Sequence, residues 1–120
     1  MWKVELYKTE SNKIPVEDFI KNLSEKEESK IYREIDLLKQ KGIYLGFPFT
    51  SKIEGSDYKN LWELRIKFSS NNFRVIYFLH IKNKFILLHG FKKKTKKTPK
   101  RELEIAKRRM IDYISRERRW

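Results

Sequence analysis

The chain has no cysteine, only two histidines among 120 residues, and few acidic groups, with 16 Asp+Glu set against 29 Lys+Arg. The missing cysteines exclude a disulfide framework, an iron–sulfur cluster, a thiolate zinc site and thiol catalysis. His80 and His89 are too few for a His-rich metal site, so neither a metal nor another cofactor is expected. No uncharged stretch approaches the ~18 residues that a membrane span requires. The opening Met1-Trp2-Lys3-Val4-Glu5-Leu6-Tyr7-Lys8 mixes charge with apolar residues, unlike a secretory signal. The length suits one core, hence a single domain over residues 1–120. With 39% hydrophobic and 14% aromatic residues, the chain is too rich in Phe, Tyr, Ile and Leu for a disordered polycation. The expectation is a cytoplasmic, strongly basic domain with no membrane partner.

The net charge of +13 is unevenly spread. Residues 1–90 hold 16 basic and 12 acidic side chains, whereas residues 91–120 hold 13 and 4. A basic final quarter can be a solvated helix face or a membrane-surface helix. It can also be a surface for phosphates, where each neutralised phosphate releases counterions.

Trp2 to Tyr7 alternates apolar and polar residues as a strand with one buried face does. Pro15 opens a helix carrying Val16, Phe19, Ile20 and Leu23 at helical spacing. Ser24-Glu25-Lys26-Glu27 forms a capping box for a second helix, with Ile31, Ile35 and Leu38 as its stripe and Gly42 as its stop. From Gly42 to Phe49 the chain is punctuated by Gly and Pro, a loop whose aromatics are expected to anchor it. Strands follow at 51–54, 60–68, 73–81 and 84–91, joined by short polar connections that predict antiparallel neighbours. The near-continuous apolar strands predict that both sheet faces are covered. Thr98 and Pro99, as N-cap and first residue, open a basic C-terminal helix over 99–117. The order β-α-α-β-β-β-β-α predicts an α+β fold: a small antiparallel sheet, an N-terminal helical hairpin on one face and a C-terminal helix.

Three segments carry candidate chemistry: Leu61-Trp62-Glu63-Leu64-Arg65-Ile66, Phe73-Arg74-Val75-Ile76-Tyr77, and the basic run from His89 to Pro99. Glu63, Arg65 and Lys67 share one strand face. Arg74 lies in a strand built for burial, where an arginine must be paired or face a polar groove. An ion pair with Glu63 would satisfy it, and so would a phosphate. Guanidinium holds phosphate by bidentate hydrogen bonds, while lysine supplies a mobile point charge. Two arginines beside a lysine-rich strand end are what a metal-free phosphodiester site would show.

These blocks, LWELRI, FRVIYF and ILLHGFKKKTKKTPKRELEIAKRRMIDY, resemble the RelE/ParE toxin superfamily, and within it the phage-derived HigB-like branch. The resemblance spans Trp2 to Tyr113 and implies the fold described above. It implies a toxin of a type II toxin–antitoxin pair, an endoribonuclease acting on mRNA at the ribosome by attack of a 2′-hydroxyl on the adjacent phosphate. Its partners would be the ribosome, mRNA and a helix-turn-helix antitoxin encoded next to it. Carried over, Arg65, Arg74, Lys93 and Lys94 fall at catalytic positions. Glu63, His89, Lys93 and Tyr77 are the candidates for a general base, since arginine stays protonated. Glu63 also has a plainer role as a partner of arginine, His89 one as a hydrogen-bonded structural residue, and Tyr77 one in the core. Lys52, Lys67, Lys92, Lys96, Lys97, Lys100 and Arg101 are expected to bind RNA or ribosome, and Phe91 to stack a base or else pack in the core. The terminal Arg116-Glu117-Arg118-Arg119-Trp120 is expected to add rRNA or antitoxin contacts. Two other readings share the fold: a ParE-like gyrase inhibitor without nuclease activity, and a non-catalytic RNA-binding module.

Overall fold

The alternating and continuous apolar runs assemble into one five-stranded sheet in the computed structural model, which describes residues 2–118. Its elements are β1 (Lys3–Leu6), α1 (Pro15–Lys21), α2 (Glu25–Lys41), β2 (Thr50–Lys52), β3 (Trp62–Phe68), β4 (Asn71–His80), β5 (Lys84–Lys93) and α3 (Lys100–Glu117). The strand order is β1-β5-β4-β3-β2. The α+β class and the element order agree with the sequence expectation, but the sheet is mixed, because β1 pairs parallel with β5. The reason is the route of the chain. After β1 it crosses one sheet face as the helical hairpin and enters at the opposite edge as β2. Antiparallel returns then bring β5 back beside β1 in the same direction.

Each sheet face has its own core. Val16, Ile20, Ile31, Ile35 and Leu38 of α1 and α2 pack on Leu64, Ile66, Phe73, Val75, Tyr77, Phe85 and Leu87. On the other face, Leu103, Ala106 and Tyr113 of α3 pack on Ile76, Phe78, Ile86 and Leu88. Covered faces explain why β4 and β5 read as nearly unbroken apolar runs. A register shift between Ile76 and Tyr77 leaves Leu88 without a partner across β4, so Leu88 and His89 both come to serve the α3 side.

The capping box is present: Ser24 Oγ accepts from the Glu27 amide at 3.2 Å, and the Glu27 carboxylate accepts from the Ser24 amide at 3.1 Å. Thr98 behaves differently from expectation. Pro99 is the N-cap of α3 without a side-chain cap, and the Thr98 hydroxyl donates to Glu63 instead, at 3.0 Å. The 42–49 loop also departs from expectation. Leu45 is its buried anchor, while Tyr44 and Phe47 are 83% and 75% exposed. No helix among the described residues is long and apolar enough to cross a membrane. Arg119 and Trp120, expected to join partner contacts, lie outside the described residues.

Gly42 stops α2 at φ +57°, with the Trp2 indole filling the space where a Cβ would stand. Alanine there would meet both a strained backbone and the Trp2 ring. Gly42→Ala should therefore destabilise the fold by roughly 2–3 kcal/mol, combining overpacking with a left-handed backbone. Urea denaturation compared with wild type checks this.

Candidate nucleic-acid interface

Strand register arranges the charged side chains of β3, β4 and β5 in rows on the sheet face that α3 shares. Glu63 pairs with Ile76, and Ile76 with His89. In the next row Arg65 stands opposite Arg74, and Arg74 opposite Phe91. The row beyond joins Lys67, Asn72 and Lys93. The first turn of α3 meets the sheet at His89, through Glu102. Past that row Phe91 still packs in the α3-side core, while Arg74 and Lys93 line an open groove.

Arg74 is only 5% exposed. Its guanidinium donates to the Phe73 carbonyl at 3.0 Å, and its Nε stands 3.6 Å from Glu63 Oε1 with no hydrogen-bond partner. Burial lowers its pKa and Arg65 lowers it further, against the opposing pull of Glu63. Arg65 is fixed through its backbone, whose N–H donates to the Phe49 carbonyl at 2.8 Å, and its guanidinium lies 5.0 Å from the Phe47 ring centre. Lys93 titrates below an ordinary lysine because it is partly desolvated and feels Arg74 and, more weakly, Arg65; Glu63 works in the other direction. Arg74 and Lys93 thus share the influence of one carboxylate.

That carboxylate is fully engaged. Glu63 is 7% exposed, accepts from Thr98 on one oxygen and from Ser51 on the other at 3.2 Å, and faces Arg74. The ion pair expected between Arg74 and Glu63 is present, and it leaves Glu63 poorly placed to take a proton from a substrate. Beside Arg74 opens a groove of about 600 Å³, lined by Ser70, Asn71, Asn72, Arg74, Lys92, Lys93, Lys94, Thr95 and Lys96. None of these described lining residues is acidic. Asn71 ties the groove to the start of α2 by donating to Glu27 at 3.0 Å.

Several residues read as site members stand elsewhere. Lys52 pairs with Trp62 on the face of the helical hairpin, its ammonium 5.5 Å from the Trp62 ring, so it is across the sheet from Arg65. Phe91 is 6% exposed in the α3-side core, parallel to the His89 ring at 5.5 Å; it is a packing residue and offers no face to a base. Tyr77 is buried in the hairpin-side core, as its parity predicts. Lys97, Lys100 and Arg101 are exposed beyond the groove, the last two in the first turn of α3, where the helix dipole disfavours cations. Arg116 binds Asp112 at 2.6 Å and the Lys8 carbonyl at 2.5 Å.

His89 is a structural clamp. Arg109 donates to its Nδ1 at 3.1 Å, which requires a lone pair there and fixes the proton on Nε2, facing Glu102 Oε1 at 2.8 Å. Burial holds its pKa below the usual 6.5, with Arg109 adding to the effect and Glu102 opposing it. Arg109 also caps the Leu88 carbonyl at the bulge, at 2.9 Å. Nothing in the stripe pattern of α3 flagged Arg109. Asn71 and Asn72 were hidden as turn residues, and Phe47 as a loop anchor.

The sheet, its helical hairpin and its C-terminal helix are compatible with a RelE-like fold. The chain belongs to the phage-derived Gp49-like family, whose model matches residues 18–111 and so includes every residue lining the groove. This is a RelE-toxin-like family of toxin–antitoxin systems. Among curated proteins, none matches the chain.

A group whose folded pKa is depressed below its unfolded value binds its proton more readily in the unfolded chain. The contribution of His89 is therefore complete above about pH 6.5 and is lost as pH falls toward its folded pKa. Wild type should lose stability on acidification from pH 7 to pH 5, and His89→Gln should lose measurably less over that interval. Thermal unfolding followed by circular dichroism at stepped pH reads the difference.

Proposed function

We propose that the chain is the toxin of a type II toxin–antitoxin pair, of the HigB-like kind, and that it cleaves mRNA on the ribosome without a metal. The observation that carries this reading is Arg65 directly across from Arg74, with Lys93 one row away, beside a groove lined by cations. Two opposed guanidiniums, with the Glu63 carboxylate already engaged by Thr98 and Ser51, suit an anionic ligand. A phosphodiester would supply the charge they lack, through bidentate hydrogen bonds.

In this reading the 2′-oxygen of the upstream ribose forms a bond to phosphorus, and the bond from phosphorus to the 5′-oxygen breaks. Arg65 and Arg74 hold the non-bridging oxygens as charge grows on them, a contribution of about 3 kcal/mol per donor. The 2′-hydroxyl proton passes to water, and Lys93 gives its proton to the departing 5′-oxygen. The products are a 2′,3′-cyclic phosphate and a 5′-hydroxyl end. The family membership supports the toxin role. A helix-turn-helix antitoxin encoded beside this gene is the partner we assign to it, covering the basic groove in the cytoplasm.

Induction of the chain alone should arrest growth and produce mapped mRNA 5′ ends at codons. Arg65→Ala and Arg74→Ala should each reduce cutting by two to three orders of magnitude. Intact mRNA with gyrase-dependent DNA damage would assign the chain to gyrase inhibition instead. Arrest that survives both substitutions without cleavage would point to RNA binding alone.

The proton donor predicts a pH dependence. Because Lys93 titrates below the ordinary lysine value of 10.5, the cleavage rate should decline on the alkaline side earlier than an unperturbed lysine allows. Lys93→Arg, which stays protonated, should be slower at neutral pH and lack that decline. Single-turnover cleavage on programmed ribosomes at stepped pH distinguishes the two profiles.

A further inference from the structure

The aromatic at the edge of the arginine row has no role in the reading above. Phe47 is three-quarters exposed, yet it does not hang from a loose loop. The turn beneath it is closed by bonds from the Phe49 and Thr50 amides to the Gly46 carbonyl at 3.0 and 3.2 Å. Leu45 and Thr50 are buried on either side of the turn, and the Phe49 carbonyl is pinned to the Arg65 amide. One face of the Phe47 ring is occupied by the Arg65 guanidinium at 5.0 Å; the ring's high exposure leaves the other open to solvent. Exposing a large ring on a hydrogen-bonded turn forgoes the burial that places phenylalanine inside most folds.

We propose that Phe47 is a nucleobase-stacking site, which holds the base of the nucleotide whose phosphate lies on Arg65 and Arg74. The site rests on the phosphate reading of the groove. Arg65 and Arg74 stand opposite each other on adjacent strands about 4.8 Å apart, and the Phe47 ring, on the loop that leads into β2, lies 5.0 Å from the Arg65 guanidinium. That spacing matches the reach from a phosphate to its own base. A phenyl face accepts any base, and a guanidinium behind it adds its charge without blocking the stack. Among the exposed apolar side chains of the loop, Tyr44 instead meets the Trp2 ring edge-on at 6.4 Å, toward β1. Phe47 is the loop ring, among the described residues, that lies against a guanidinium.

The test is binding of a short single-stranded RNA at low salt, intact or with one base removed, with 2-aminopurine placed at successive positions. Wild type should quench 2-aminopurine strongly at one position. Phe47→Ala should abolish that quench and weaken the intact RNA about tenfold. Phe47→Trp should restore both, and the RNA lacking that base should bind wild type and Phe47→Ala equally. Equal weakening of both RNAs by Phe47→Ala would mean that the ring only props Arg65, and would overturn the proposal. So would intact-RNA binding unchanged by Phe47→Ala, including the case where that variant instead escapes neutralisation by a co-expressed antitoxin. In either case weaker binding by Arg65→Ala would leave the phosphate groove standing. An Arg65→Ala protein that binds RNA as wild type does would overturn the groove itself.

Discussion

Two arginines face each other across β3 and β4, and one of them is almost completely buried. Like charges directly opposite in a sheet repel, and a buried cation must be compensated or the chain loses stability. Glu63 provides compensation only in part: at 3.6 Å from Arg74 it is an ion pair without a hydrogen bond, and its oxygens are held by Thr98 and Ser51. The arrangement persists because both neighbours of the pair are clamped. Leu64 and Ile66 on one strand, and Phe73 and Val75 on the other, are locked in the hairpin-side core. The fold therefore spends packing energy to hold two guanidiniums where an anion would relieve them.

The rest of the molecule follows from that constraint. Charge is segregated across the sheet: the helical hairpin of residues 15–41 has seven acidic and six basic side chains, while residues 91–120 carry a net +9. The near-neutral helices cover one face, and the basic strand end, loop and α3 belong to the other. Such polarity orients the protein on an anionic surface before any specific contact forms. The clamp of His89 with Arg109 and Glu102 then fixes where α3 begins, and so how much of the sheet face stays open.

Local patterns were legible because they depend on neighbours in the chain. The alternation of Glu63, Arg65 and Lys67, the capping box at Ser24 and the stop at Gly42 are all short-range signals, and each appears in the structure. What depends on register between distant strands was not legible. Lys52 sits on the wrong face because Ser51, not Lys52, pairs with Glu63, and a three-residue strand carries too little pattern to fix its parity. Phe91 had two readings at its strand end, stacking a base or packing in the core, and the α3-side core claims it. Thr98 had the right position for a cap, and a buried carboxylate thirty-five residues away claimed its hydroxyl. Phe47 shows the reverse: an aromatic expected to anchor its loop is held outward by bonds that the loop makes to itself and to β3.

The central claim is that Arg65 and Arg74 together form a seat for an anion. It is tested most directly by urea unfolding of wild type and Arg65→Gln in phosphate and in chloride at matched ionic strength. A ligand bound only by the folded state stabilises it in proportion to the logarithm of its concentration above Kd. The account predicts that phosphate raises the wild-type midpoint progressively over chloride, and that Arg65→Gln removes most of this rise. The same phosphate-dependent rise in both proteins would contradict it, because the anions would then be gathered by the diffuse charge alone.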